Sequence, residues 1–337
     1  MSSLPSDDPW QWQPPQPCRW QQPVSLIRLD GPGVLRFLHG QTSQDLERAV
    51  AGQCLATCCI TPTARLRGLA EVLVDATGAW LVITAGDGGS IHQAFDRVLF
   101  PADQVALGGP VAAVMHSVLG AAGILAAAGM GAIPQGRWTA LGPEPGQGWL
   151  LPDPNRILLT ADQPAPAWLE ALPVLSRLDQ QRWRLQQGLP QEPTEINEDL
   201  NPFELGLAER VSLSKGCYVG QETLAKLATY DGVKQQLRRW TWSPDQDPEP
   251  AAAPETPAPG IPLIDAAGQR AGWISSSLEL PASAGRPRRL IGLALVRRQA
   301  LGEATLLADS LPLSISAPAG FRAPPVGAGG GASGRGS

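Results

Sequence analysis

The 337-residue sequence has few charged residues, 17% in all, and no excess of positive ones: 26 Lys and Arg stand against 31 Asp and Glu, for a net charge of −5. A broad basic surface of the kind that grips a phosphate backbone is therefore absent, and direct nucleic-acid binding is not expected. No apolar stretch reaches the roughly 20 residues that span a bilayer. The nearest, 118–133, is short and broken by glycines before Pro134, so it reads as a packed helix or loop and no membrane partner is expected. The chain does not open on a basic region followed by an apolar run, so no secretory leader is expected. Five cysteines, an odd number in a long chain, do not make a disulfide framework and fit a reducing, cytoplasmic compartment better. There is no internal repeat, no heptad pattern, no glycine-rich phosphate loop and no Ser-His-Asp arrangement.

What is present suits a globular protein: 43% hydrophobic residues in a chain long enough for one large domain or two ordinary ones. Residues 1–22, rich in Pro, Gln and Trp, read as a flexible arm that Trp10, Trp12 and Trp20 could anchor. Strands are expected at 24–29, 53–60, 69–74 and 80–84, with a turn at Asp75-Ala76-Thr77-Gly78 joining the last two. Short helices are expected at 34–38 and 91–99. A longer one is expected at 175–188, with Leu178 and Leu185 on one side and Gly188 as its stop. Residues 243–260 are a proline-rich linker. Four short strands after it, at 261–264, 270–275, 290–296 and 311–315, suggest a small β-barrel or sandwich over 261–322, followed by a disordered tail at 323–337.

The most informative stretch is Lys215-Gly216-Cys217-Tyr218-Val219-Gly220-Gln221-Glu222. A cysteine between two nearby glycines sits on backbone free to take unusual dihedrals. Lys215 can sit near the sulfur and favour its thiolate. Gln221 and Glu222 open a helix expected over 222–228, where a carboxylate in the first turn suits the helix dipole. Two readings stand side by side: a tight turn with a buried, inert cysteine, or a reactive thiol or metal ligand.

That eight-residue run resembles the signature of the YgfZ family, which is related to the mitochondrial factors acting late in iron–sulfur cluster assembly. Three further stretches agree. Phe37-Leu38-His39-Gly40-Gln41-Thr42 with Asp45 resembles the family's N-terminal segment, one residue shorter before the Asp. Asn201-Pro202-Phe203-Glu204-Leu205-Gly206-Leu207 resembles the stretch before the signature, and Tyr230-Asp231-Gly232-Val233-Lys234 the one after it. The resemblance covers roughly 24–239 and implies an α+β fold like that of the glycine cleavage T-protein. That fold is a ring of folate-binding subdomains, here 23–242, plus a small C-terminal β-barrel. It implies tetrahydrofolate or a one-carbon derivative as cofactor, and iron–sulfur client or assembly proteins as partners, with an indirect effect on tRNA modification. The alternative it leaves open is an aminomethyltransferase or other one-carbon folate enzyme.

Residue by residue, the resemblance places Asp45 where the T-protein has a catalytic Asp. It places Arg184-Leu185-Gln186-Gln187-Gly188 where the T-protein has the stretch whose Glu holds the pterin. Here that acid is Gln186, an amide that both donates and accepts but cannot carry a proton as a carboxylate does. The substitution argues against aminomethyl transfer. Cys217 and Asp45 are the candidate reacting residues; Gln186, Arg184, Lys226, Tyr218, Gln221 and Glu222 are the candidate cofactor contacts. Lys226 stands where Arg is common and lacks its planar fork. Thr61-Pro62-Thr63-Ala64-Arg65 lacks the family's glycine but keeps its Arg. Asp45 could also simply cap a local helix.

Cys54, Cys58 and Cys59 lack zinc-site spacing, and in a strand Cys58 and Cys59 point to opposite faces. They read as packing residues, and no metal site is expected. His39 reads as a surface or pocket-lining residue. Asp103, Asp153 and the run Glu192, Glu195, Glu198 read as solvated faces or turns.

Overall fold

The computed structural model describes residues 8–120, 134–141, 148–151, 156–244, 254–283, 286–324 and 326–327. The chain divides into two compact units, a sheet unit (13–177 and 210–221) and a barrel unit (1–12, 178–209 and 222–337).

The sheet unit is built on strands β1 (Cys18–Asp30), β2 (Cys54–Ile60), β3 (Leu66–Val74), β4 (Gly78–Ala85), β5 (Ala106–Leu107), β6 (Val111–Leu119), β7 (Thr139–Ala140), β8 (Trp149–Leu151) and β9 (Arg156–Thr160). Among the described residues they form one antiparallel sheet, in the order β2-β3-β4-β1-β6-β9-β8-β7, with β5 paired to the end of β1. Strand β1 lies at its centre, which is why Leu26 and Ile27, neighbours on opposite faces, are both fully buried. Ile27 and Leu29 join one core with Val72, Leu81, Phe37 and Phe95. Val24 and Leu26 join another with Leu73, Val82, Met115 and Trp149.

Helices α1 (Val34–Gln41) and α2 (Gly88–Asp96) cover the first of these cores, their Phe37 and Phe95 rings meeting edge to face at 5.6 Å. Asp87 caps α2 by accepting from the amides of Gly89 and Ser90. The expected turn is made by Asp75, whose carboxylate accepts from Thr77 N and Gly78 N, both at 2.9 Å. Arg28 ties that carboxylate back to the sheet.

The strand expected from residue 24 begins at Cys18 instead, paired with β6 from Cys18 to Leu26, so the end of the expected arm is sheet. Backbone pairing does not require Arg19, Trp20, Gln21 and Gln22 to alternate in polarity, which is why composition hid them. Of the segment read as a packed helix or loop, 118–119 end strand β6, and 121–133 lie outside the described residues. Helix α3 (Ala167–Glu170) packs Leu169 against Ile157 and Leu159.

The barrel unit closes six strands in the order β10-β13-β12-β11-β14-β15: β10 (Gln235–Trp242), β11 (Pro262–Ile264), β12 (Arg270–Leu280), β13 (Arg289–Arg297), β14 (Thr305–Ala308) and β15 (Leu311–Ser316). The barrel therefore starts before the proline-rich segment rather than after it. Its centre is Trp240, fully buried, whose indole N–H donates to the carbonyls of Ser276 and Leu293. A bulge in β12 between Ile274 and Ser276 turns that carbonyl inward. Gly292 is required here: a Cβ would stand 2.0 Å from Ser276 O and 2.5 Å from the indole.

Two further helices are α4 (Arg177–Gln187) and α5 (Gln221–Thr229). Helix α4 stops at Gly188, which takes φ +68°. Its buried side is Arg184, Leu185 and Gln186, whereas Leu178, expected beside Leu185, is exposed. Of the expected linker and tail, 245–253, 325 and 328–337 lie outside the described residues.

Candidate functional site

In the sheet unit the signature loop is fixed by Lys215. Its side chain is buried, and the ammonium donates to three carbonyls: His39 O, Thr42 O at 2.7 Å and Gln44 O at 2.8 Å. Two of these carbonyls belong to the C-terminal turn and cap of α1, where exposed C=O groups favour a cation. The same ammonium lies 4.2 Å from the centre of the Tyr218 ring. All three N–H groups of Lys215 are thus spent on main chain rather than on the Cys217 sulfur, which corrects the expectation from the sequence. Burial pushes this ammonium down to about 7, with Asp45 acting in the opposite direction.

Around that anchor the loop is held at both ends. Val219 N donates to Gly40 O at 2.9 Å, and the Gln221 amide donates to Lys215 O at 3.2 Å. Gly220 takes φ +79° where a Cβ would meet Thr61 O and the Ile60 side chain at 2.9 Å, so only glycine brings the chain round to α5. Tyr218 is buried with its hydroxyl unpartnered among the described residues, and burial raises its phenol to about 12. Cys217, between these fixed points, is exposed. The cysteine is therefore not the buried one that the first of the two sequence readings expected.

Asp45 is exposed as well. It caps no helix: its carboxylate is 43% exposed and lies 3.2 Å from His39 Nδ1. His39, expected to be at the surface or lining a pocket, is buried. Its Nδ1 accepts from the amides of Leu46 (3.4 Å) and Glu47 (3.2 Å) and so orients the turn that follows Asp45. A built Cβ on Gly216 would stand 3.7 Å from His39 Nε2, so His39, Asp45 and the Cys217 loop are neighbours. The other cysteines are interior: burial raises Cys54 and Cys59 to about 12 and Cys58 to about 11.

In the barrel unit, Gln186 is buried on α4, its amide N–H donating to Trp12 O at 3.1 Å. Its Oε1 has no hydrogen-bond partner among the described residues. Arg184 is spent on the fold: it donates to Leu189 O (2.9 Å), Gln181 Oε1 (3.0 Å) and Ser276 Oγ (3.1 Å), and lies 3.7 Å from Glu195. Glu195 corrects the sequence reading of a solvated acidic run. It is fully buried and accepts from Gln191 N, Thr194 Oγ1 and Ser276 Oγ. Nothing in its polar surroundings in sequence signals this. Asp153 lies outside the described residues. Glu222 and Lys226 form an exposed pair one turn apart on α5, Nζ to Oε1 2.6 Å, each holding the other in its charged form.

The fold is that of the glycine cleavage T-protein, mixed helix and strand with a small closed barrel. The crystal structure of the glycine cleavage system aminomethyltransferase T from Bartonella henselae superposes with a TM-score of 0.69. The match covers 92% of this chain and 88% of that one at 15% identity, which carries the fold and nothing finer. In sequence, the chain is 30% identical over 233 residues to the Arabidopsis thaliana protein named "Putative transferase At1g60990, chloroplastic". That match covers 63% of this chain and 52% of the relative, so the chain spans about half the length of the curated protein it matches. No protein-family model matches the sequence.

Proposed function

We propose that this chain binds tetrahydrofolate, or a one-carbon derivative of it, and serves iron–sulfur enzymes as an accessory in cluster assembly or repair, with an indirect effect on tRNA modification. The observation that carries this reading is the exposed thiol of Cys217, in the signature run that resembles the YgfZ family, on a loop fixed by the buried Lys215. A single exposed thiol supplies one ligand, or one transient redox partner, to a passing client. It does not supply the several thiolates of a resident cluster. Among the described residues no group of His, Cys, Asp and Glu could hold a metal ion.

Gln186 suits a pterin: its buried Oε1 waits for a donor such as a ring N–H. Arg184 holds the helix and the Glu195 carboxylate in place, so in this reading it positions Gln186 rather than touching the ligand. Tyr218 and Gln221 act likewise on the Cys217 loop, while the exposed Lys226 ammonium, beside Glu222 on α5, is available to a folate carboxylate tail. Five free thiols fit a reducing compartment such as the cytoplasm. Among the described residues no helix is long and apolar enough to cross a membrane.

The test is complementation. In a strain lacking the protein, the wild-type chain is expected to restore the activity of cluster-dependent enzymes, and Cys217→Ser is expected not to. Full restoration by Cys217→Ser would remove the thiol role.

A second reading, aminomethyl transfer, is favoured by the exposure of Asp45 beside His39. It is opposed by Gln186, which cannot exchange a proton. Incubation with an aminomethylated carrier protein and tetrahydrofolate is expected to yield no methylene-tetrahydrofolate; clear turnover would make this the better reading.

A further inference from the structure

Residues 8–12 form a short clasped turn within the barrel unit. Asp8 caps it by accepting from Trp10 N at 2.9 Å. The Trp10 indole N–H donates to Thr241 Oγ1 at 2.8 Å, and its ring lies 4.8 Å from the Arg239 guanidinium. Trp12 lies 5.3 Å from the Arg182 guanidinium and meets the Trp183 ring edge to face at 6.4 Å. Two tryptophans thus pin the turn, one on strand β10 and one on helix α4, through contacts that are individually weak at half-exposed positions.

The turn ends on Gln186. Its carbonyl, Trp12 O, takes the amide N–H of that residue, while Gln186 Oε1, in a side chain more than nine-tenths buried, has no donor among the described residues. An amide that reads the edge of a heterocycle uses its donor and its acceptor together. Here one half is occupied by the protein's own main chain and the other is left unmet, a costly state for a buried polar atom. The arrangement describes a recognition group partly covered by a segment of its own chain.

We infer that residues 8–12 are a displaceable strap that competes with ligand for Gln186. With the strap closed, Trp12 O holds the amide N–H. With it open, an acceptor on the ligand takes that N–H while a ligand N–H satisfies Oε1. The ligand class this fits is a planar heterocycle with adjacent donor and acceptor. The inference rests on the reading of Gln186 as a pterin contact.

The experiment is calorimetric titration with tetrahydrofolate of three proteins: the full chain, a variant lacking residues 1–12, and Trp12→Ala. The deletion ends ahead of β1, and the point variant serves where the deletion fails to fold. Loss of a competing hydrogen bond is expected to tighten binding by about tenfold in the deletion, and by a smaller factor in Trp12→Ala. Saturating tetrahydrofolate is expected to speed chymotrypsin cleavage of the full chain after Trp10 and Trp12. Equal or weaker binding once the strap is removed, with the full chain still binding, would overturn the strap and leave the folate reading standing. No binding by any of the three would overturn the folate reading and the strap with it.

Discussion

Lys215 shows how much one residue can settle. Its ammonium donates to three main-chain carbonyls, two of them in buried contacts. Lys215→Met is expected to cost about 3 kcal/mol, on the order of one unsatisfied buried group or more, read from urea unfolding at pH 6. The pH dependence has a definite sign. The folded ammonium titrates near 7 against an ordinary 10.5, so between those values the unfolded chain binds the extra proton. The stability of the wild type relative to Lys215→Met is therefore expected to rise with pH across that window.

His116 acts at the acid end. Burial first, and then the charge of Arg19, lower it from 6.5 to about 4, so the unfolded chain again binds more protons in between. Stability is expected to fall as pH drops from 6.5 to 4, and less steeply in His116→Gln, by thermal melts across that range. Cys217 stood out in the sequence because its neighbours Lys215 and Gly220 form a specific run, but its exposure was not legible there. The burial of Glu195 and His39 was not legible either, because whether an acid or an imidazole is buried is decided by partners distant in sequence, such as Ser276 at 2.7 Å from Glu195.

Among the elements, those with clean patterning were readable from the sequence: β3 and β4 with their Asp75 turn, helix α4 with Gly188, and four of the five barrel strands after the linker, β14 being missed. Strand β10 was missed because Arg238 and Arg239 interrupt its apolar pattern. The structure accommodates them by stacking one on Phe321 and the other on Trp10. Strand β6 was missed because His116 and Ser117 interrupt its apolar pattern, and its last two residues fell in a segment whose apolar run fits strand and helix equally well. The junction between the signature loop and α5 depends on Gly220. Gly220→Ala would force a Cβ onto Thr61 O at a positive φ. It is expected to destabilise the chain by about 2 kcal/mol and to change the rate at which Cys217 reacts with a thiol reagent. An unchanged rate and melting point would mean that the loop does not depend on this turn.

At the level of the whole molecule, the fold was legible because motif and architecture agree. The run from Lys215 to Glu222 resembles one family of the T-protein fold, and the Bartonella henselae structure shares that fold at a TM-score of 0.69. Function does not follow from fold in the same way. A sheet-and-barrel scaffold fixes where side chains stand, whereas chemistry depends on which side chains they are, here the buried amide of Gln186 and the exposed thiol of Cys217. The central proposal is that this chain binds a folate with Gln186 as its pterin contact, an amide that cannot exchange a proton as an acid would. The measurement that tests it most directly is calorimetric titration of the full chain with tetrahydrofolate beside Gln186→Ala and Cys217→Ala. Saturable binding by the wild type and Cys217→Ala, weakened about tenfold or more in Gln186→Ala, is the expected result. Absence of saturable binding by the wild type, or binding indifferent to Gln186, would contradict it.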